Sequence, residues 1–166
     1  MHVKKNIPVF CLFVALIAFS VSSFAAPQEK PAQNERCPVC GMFVAKYDNW
    51  ITQVRHADGS ILFFDGMKDL FVYYFAPRQH GGTAPESISE IWAKDYYTLQ
   101  WINAREAFFV VGSDVYGPMG HEFIPFASSR AAEAFLKDHH GKEILPFDAV
   151  TEDRVQSMRM GQKMRH

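Results

Sequence analysis

Cysteine is scarce in this chain, with three copies among 166 residues, too few for a disulfide scaffold. Charge of one sign is missing as well: 17 basic and 18 acidic side chains leave a net charge of −1. With no basic stripe and no RNA-binding signature, nothing in the electrostatics favours nucleic acid as a partner. The chain has one long apolar run, at its start; no later stretch is apolar for long enough to cross a bilayer. Strings for common catalytic chemistry are also lacking. No nucleophile–base arrangement, Gly-rich phosphate loop or HExxH helix is present, so the expectation is a protein that is not an enzyme.

What is present is aromatic. Fifteen Phe, six Tyr and three Trp in a chain that is 48% hydrophobic supply ample area to bury, which argues against disorder. The length suits one compact domain plus a processed end.

The N-terminus reads as a signal peptide over residues 1–25. Lys4 and Lys5 form the positive start, an apolar run covers residues 7–24, and Ser23-Phe24-Ala25 puts small residues at the two positions a signal peptidase reads. Cleavage after Ala25 implies export to the periplasm; the alternative is an uncleaved N-terminal anchor. Cys11 follows Pro8-Val9-Phe10, a poor lipoprotein-processing site. Removal of the leader leaves Cys37 and Cys40 as the remaining thiols.

Residues 26–36 are polar, carry Pro27 and Pro31, and read as a flexible linker. Residues 37–150 read as the folded domain, and residues 151–166 as a C-terminal helix with a Met-rich basic tail. Strands are expected at 43–45, 50–54, 60–64, 91–93, 98–102, 107–111, 121–126 and 143–147, with a hairpin at Ala57-Asp58-Gly59. Met67, Leu70, Phe71 and Tyr74 recur at helical spacing, and Ser128-Ser129 caps a second helix over 130–139 that Gly141 stops. Residues 77–87 and 112–120 read as loops. A strand–strand–helix order appears in both halves, so the fold class is α+β, mostly antiparallel, with a duplicated ββα-type unit.

Three features could carry chemistry. Cys37-Pro38-Val39-Cys40-Gly41-Met42 places three sulfurs within one short string. Thiolate and thioether are soft donors, suited to Cu(I) and unsuited to Mg²⁺ or Ca²⁺. The same pair could instead be a plain disulfide, a thioredoxin-type redox pair, or half of a zinc ribbon. A ribbon needs a second cysteine pair, which the mature chain lacks. A redox pair normally sits where a strand enters a helix, which the pattern here does not provide. The second feature is Gly117-Pro118-Met119-Gly120-His121-Glu122. Its bland reading has Met119 tucked into the core and His121 at a strand end; joined to the cysteines, Met119 and His121 would complete a low-coordination Cu(I) set. A neutral imidazole is needed there, so loading should weaken in acid. The third is the tail, with Met158, Met160, Met164 and His166: a copper-collecting segment, or more simply a frayed basic terminus. Asp65 reads as the cap of the helix after it, and His56, His80, His139 and His140 as solvated turn residues.

Cys40-Gly41-Met42 and Tyr116-Gly117-Pro118-Met119-Gly120-His121-Glu122 closely resemble the NosL family. So do Phe64-Asp65, Ile91-Trp92, Asp95-Tyr96-Tyr97, Ala104-Arg105 and Val111-Gly112-Ser113-Asp114, so the likeness spans roughly residues 37–140. The resemblance implies a Cu(I) chaperone that feeds the copper-sulfide centre of nitrous-oxide reductase and works beside a membrane ABC-type maturation complex. It implies a pair of related ββα-containing units, and a metal site on Cys40, Met119 and His121 with Met42 as neighbour or ligand. Two departures stand out. Many family members are lipoproteins, whereas this chain lacks a convincing lipobox, which leaves membrane association open. Many have one cysteine before Gly-Met, whereas here Cys37 precedes it, as an added ligand or a disulfide partner. The client could also be another copper enzyme. A thiol–disulfide oxidoreductase using Cys37 and Cys40 is the runner-up, and a soft-metal lyase such as a carbon–mercury lyase ranks last.

Overall fold

The structure is a computed structural model that describes residues 26–28 and 30–163. The leader, with Cys11, and the last three residues lie outside them.

Two antiparallel sheets organise the chain. Strand β1 (Thr52–His56) turns through Asp58-Gly59 into β2 (Ile61–Phe64), and helix α1 (Met67–Phe75) follows. The turn closes because Asp58 Oδ1 accepts from the Ser60 N–H at 2.9 Å and the Ser60 hydroxyl at 2.7 Å. Strands β3 (Ile88–Lys94) and β4 (Trp101–Asn103) complete the first sheet, in the order β2-β1-β3-β4. The second half repeats the plan with β5 (Phe108–Val111), β6 (Ile124–Phe126), α2 (Ser129–Asp138) and β7 (Glu143–Pro146), in the order β6-β5-β7. In each half a hairpin leads into a helix, and the next strand returns to pair with the hairpin's first strand. The expected duplication is therefore present in topology, with β4 added to the first copy. Helix α3 (Glu152–Lys163) closes the chain and packs along α1.

Alternation on β5 explains how the halves join. Phe109 and Val111 point into the large core built on α1, while Val110 points to the smaller cluster of Ile124, Phe126, Ala132 and Phe135 under α2. Period-two geometry thus lets one strand serve two cores. Phe71 of α1 is the hub of the larger one, with its ring 5.4 Å from Phe109, 5.0 Å from Phe123 and 5.2 Å from Phe147. The sheets are also tied by polar bonds: Tyr96 N–H donates to Pro125 O at 2.9 Å, and Ala127 N–H to Asp95 Oδ2 at 2.8 Å.

Several local expectations need correction. Residues 43–45 are no strand: Phe43 makes one isolated bridge to Arg36, and Val44–Lys46 is a 3-10 turn. The segment 26–36, expected to be a flexible linker, is held at its start. Gln28 and Gln53 exchange two hydrogen bonds, Ala26 O accepts from Arg55, and Pro31 is buried. His56 is no solvated turn residue. It is buried in β1, with Nδ1 at 2.9 Å from Ser87 Oγ and Nε2 at 2.9 Å from Tyr73 Oη. His139 stacks on Phe135 and pairs with Asp114. In both cases a neighbour distant in sequence supplied the partner.

Candidate metal centre

The cysteine string is a closed loop. Gly41 N–H donates to Cys37 O at 2.8 Å, and Cys37 N–H donates to Met42 O at 2.9 Å. The turn needs φ of +78° at Gly41, a left-handed conformation that a side chain would strain. Arg36 secures the turn from outside by donating to Gly41 O at 2.7 Å. Both thiols are free; Cys37 is buried and Cys40 half-buried.

Two acids that sequence reasoning did not place in the site face these thiols. Cys40 Sγ lies 3.2 Å from Asp65 Oδ1, and Cys37 Sγ lies 3.5 Å from Asp69 Oδ2. One donor atom from each of Cys37, Cys40, Asp65 and Asp69 falls within 4.8 Å of all the others. The expected cap role for Asp65 is therefore wrong: the cap position of α1 is Gly66, which has no side chain to offer, and the first-turn N–H of Lys68 is met by Glu122 instead. Asp65 is buried instead, and its Oδ2 has no partner among the described residues. A buried carboxylate oxygen left bare costs free energy, so the group is suited to facing a cation.

Two groups of the cluster are held toward their protonated forms. The Cys40 thiol is pushed up, chiefly by the hydrogen-bonded Cys37 beside it, then by burial. Burial is also the leading cause that raises Asp69. Burial thus favours the protonated forms of Cys40 and Asp69.

The second string docks on the same turn of α1. Gly117 and Gly120 pair across a tight turn, through N–H donors at 2.7 and 3.0 Å. Pro118 and Met119 sit at its tip. Met119 is 37% exposed, so it does not fill the core as the bland reading required. The ring of His121 lies 4.9 Å from that of Tyr116, which is itself exposed. Lys68 Nζ donates to the carbonyl of Met119, and to that of His121 at 2.9 Å. Glu122 Oε1 accepts from the N–H of Lys68, and from that of Phe123 at 2.9 Å. This contact requires Gly66, because a Cβ there would collide with Glu122 Oε2. Burial pushes the Glu122 carboxyl up to about 8.

Of the expected ligands, Cys37 and Cys40 are brought together. Met119 and His121 are anchored through their carbonyls to the α1 turn that carries Asp69 and follows Asp65. Met42 contributes its carbonyl to the cysteine loop, with its side chain half-buried. In the tail, Met158 packs against the core and Met160 is exposed; Met164 and His166 lie outside the described residues.

The chain matches the NosL family model over residues 28–155. It is similar in structure to the copper chaperone NosL of Shewanella denitrificans, with a TM-score of 0.64 and 25% identity over 76% of this chain and 99% of that one. It is also similar to the apo-NosL protein of Achromobacter cycloclastes, with 31% identity, a TM-score of 0.48, and coverage of 63% and 87%. No curated protein matches the chain.

Proposed function

The chain belongs to the NosL family, and from that premise we propose that it is a Cu(I) chaperone that carries the ion on soft side chains and hands it to a copper enzyme. The observation that carries this reading is the cluster of two free thiols within 4.8 Å of two buried acids. The copper chaperone it resembles along 99% of that protein's length points the same way. Thiolates select soft ions such as Cu(I) or borderline Zn²⁺. In this reading Cys40 and Cys37 provide thiolate, with Met119 and His121 supplying thioether and imidazole from the neighbouring loop and Met42 close by.

Loading is a proton exchange: Cu⁺ takes the place of the S–H proton, and the carboxylates that already accept hydrogen bonds from those S–H groups are placed to receive it. The half-burial of Cys40 and the exposure of Met119 suit a site that another protein's ligands can reach. We place the protein in the periplasm, on the strength of residues 1–25. Its client on this reading is nitrous-oxide reductase, at the copper-sulfide centre, beside a membrane ABC-type complex.

The oxidoreductase reading is weaker. Exchange needs an accessible, depressed thiol, whereas Cys37 is buried and the Cys40 thiol is raised. Titration of the reduced mature protein against a chromophoric Cu(I) competitor tests the proposal. One tightly held ion, lost in Cys40→Ser, supports it; no competition by the wild-type protein rejects it.

A further inference from the structure

The buried ammonium of Lys68 has no place in a soft-metal site as a ligand, because it is a cation. It is nevertheless built into one. Lys68 is 1% exposed on the first turn of α1, between Asp65 and Asp69, which face the two thiols. Burying a lysine is costly unless its donors are satisfied. Among its acceptors are the carbonyls of Met119 and His121, the two residues whose side chains are the candidate ligands of the loop.

We propose that Lys68 is a positioning residue for copper binding: it clamps the backbone on both sides of Gly120, so that Met119 and His121 are presented as a preformed pair beside the cysteine loop. This rests on the reading of those two residues as ligands.

The geometry supports a clamp in three ways. Gly120 has φ of +79° and separates the two ligands, so without a tie this turn has unusual backbone freedom. Met119 is 37% exposed, and the bond from Lys68 to its carbonyl ties its backbone to α1. Glu122 meets the N–H of Lys68 itself, which fixes the other end of the loop to the same turn of α1. A ligand pair ordered before the ion arrives pays less ordering entropy on binding.

The test is a mutant cycle on the full mature chain. Lys68→Met should weaken Cu(I) affinity by about 10- to 100-fold, the range for residues that orient metal ligands. It should also speed amide exchange at residues 117–121 of the copper-free protein. In a Met119→Leu/His121→Ala background the same change should cost nothing further, because the clamp then has no ligands to place. A merely structural Lys68 would cost the same in both backgrounds, and that result, or unchanged affinity of Lys68→Met, overturns the proposal. If Met119→Leu/His121→Ala alone binds like wild type while Cys40→Ser does not bind, the ligand reading fails and the clamp with it. If wild type itself does not bind, the chaperone reading fails. Should Lys68→Met not fold, Lys68→Gln takes its place with the same outcomes.

Discussion

The thiol of Cys40 and the carboxylate of Asp65, 25 residues apart, meet at 3.2 Å. A closely spaced cysteine pair is thereby joined to the turn that opens α1. Asp69, one helical turn further on, meets Cys37 at 3.5 Å in the same way. The site therefore holds its own proton acceptors, and burial makes the charged form of one of them, Asp69, costly.

That cost predicts a trade between stability and binding. Asp69→Asn removes a carboxyl whose charged form burial disfavours, and should stabilise the metal-free protein by about 1 kcal/mol. It should weaken Cu(I) binding at the same time. Urea unfolding with a parallel competitor titration checks both; a less stable variant that binds normally contradicts the assignment.

Copper should in turn stabilise the fold, since the folded state alone assembles the donors. At about 100 times the dissociation constant the expected gain is about 2.7 kcal/mol. A melting temperature that does not rise with added Cu(I), in protein shown to be reduced, would count against a preformed site.

Oxidation should switch loading off. The Cys37 and Cys40 sulfurs lie within 4.8 Å of each other, and a disulfide between them would withdraw both thiolates. Oxidised protein should show little Cu(I) binding, and reduction of the dithiol should restore it. Mass-resolved alkylation reports the redox state in each titration. Equal affinity in both states would remove the two sulfurs from the site.

Stability should fall as pH rises across neutrality. Glu122 keeps its proton in the folded chain to about 8, against an ordinary value of 4.5. Between those limits the folded state binds more protons than the unfolded state, so the slope of unfolding free energy with pH is negative. Burial depresses Lys68 below its ordinary 10.5, which acts in the opposite sense. Glu122→Gln should flatten the fall. Urea midpoints at about pH 5 and about pH 8 decide the matter, and an equal fall in the variant would assign the slope to other groups.

Phe71 joins both halves through Phe109, Phe123 and Phe147. Phe71→Ala should cost about 3–5 kcal/mol, with both sheets lost in a single transition. Two separate transitions would show that the halves fold alone.

Much of this architecture was legible in the sequence because local patterning dictates it. Hydrophobic spacing marked α1, Asp58-Gly59 marked the β1–β2 turn, Ser128 marked the start of α2, and the first short string drew attention to the two thiols that lie together. Tertiary structure decided which groups meet. Asp65 has the sequence features of a helix cap yet reaches a thiol. Lys68 and Asp69 look like the polar residues of an ordinary first turn and are buried. His56 finds its partners on α1 and before β3. Periodicity specifies which face of an element is apolar; the partner of a buried charge depends on how that face is covered, and only the packing of α1 between the cysteine loop and the Met119–His121 turn settles that.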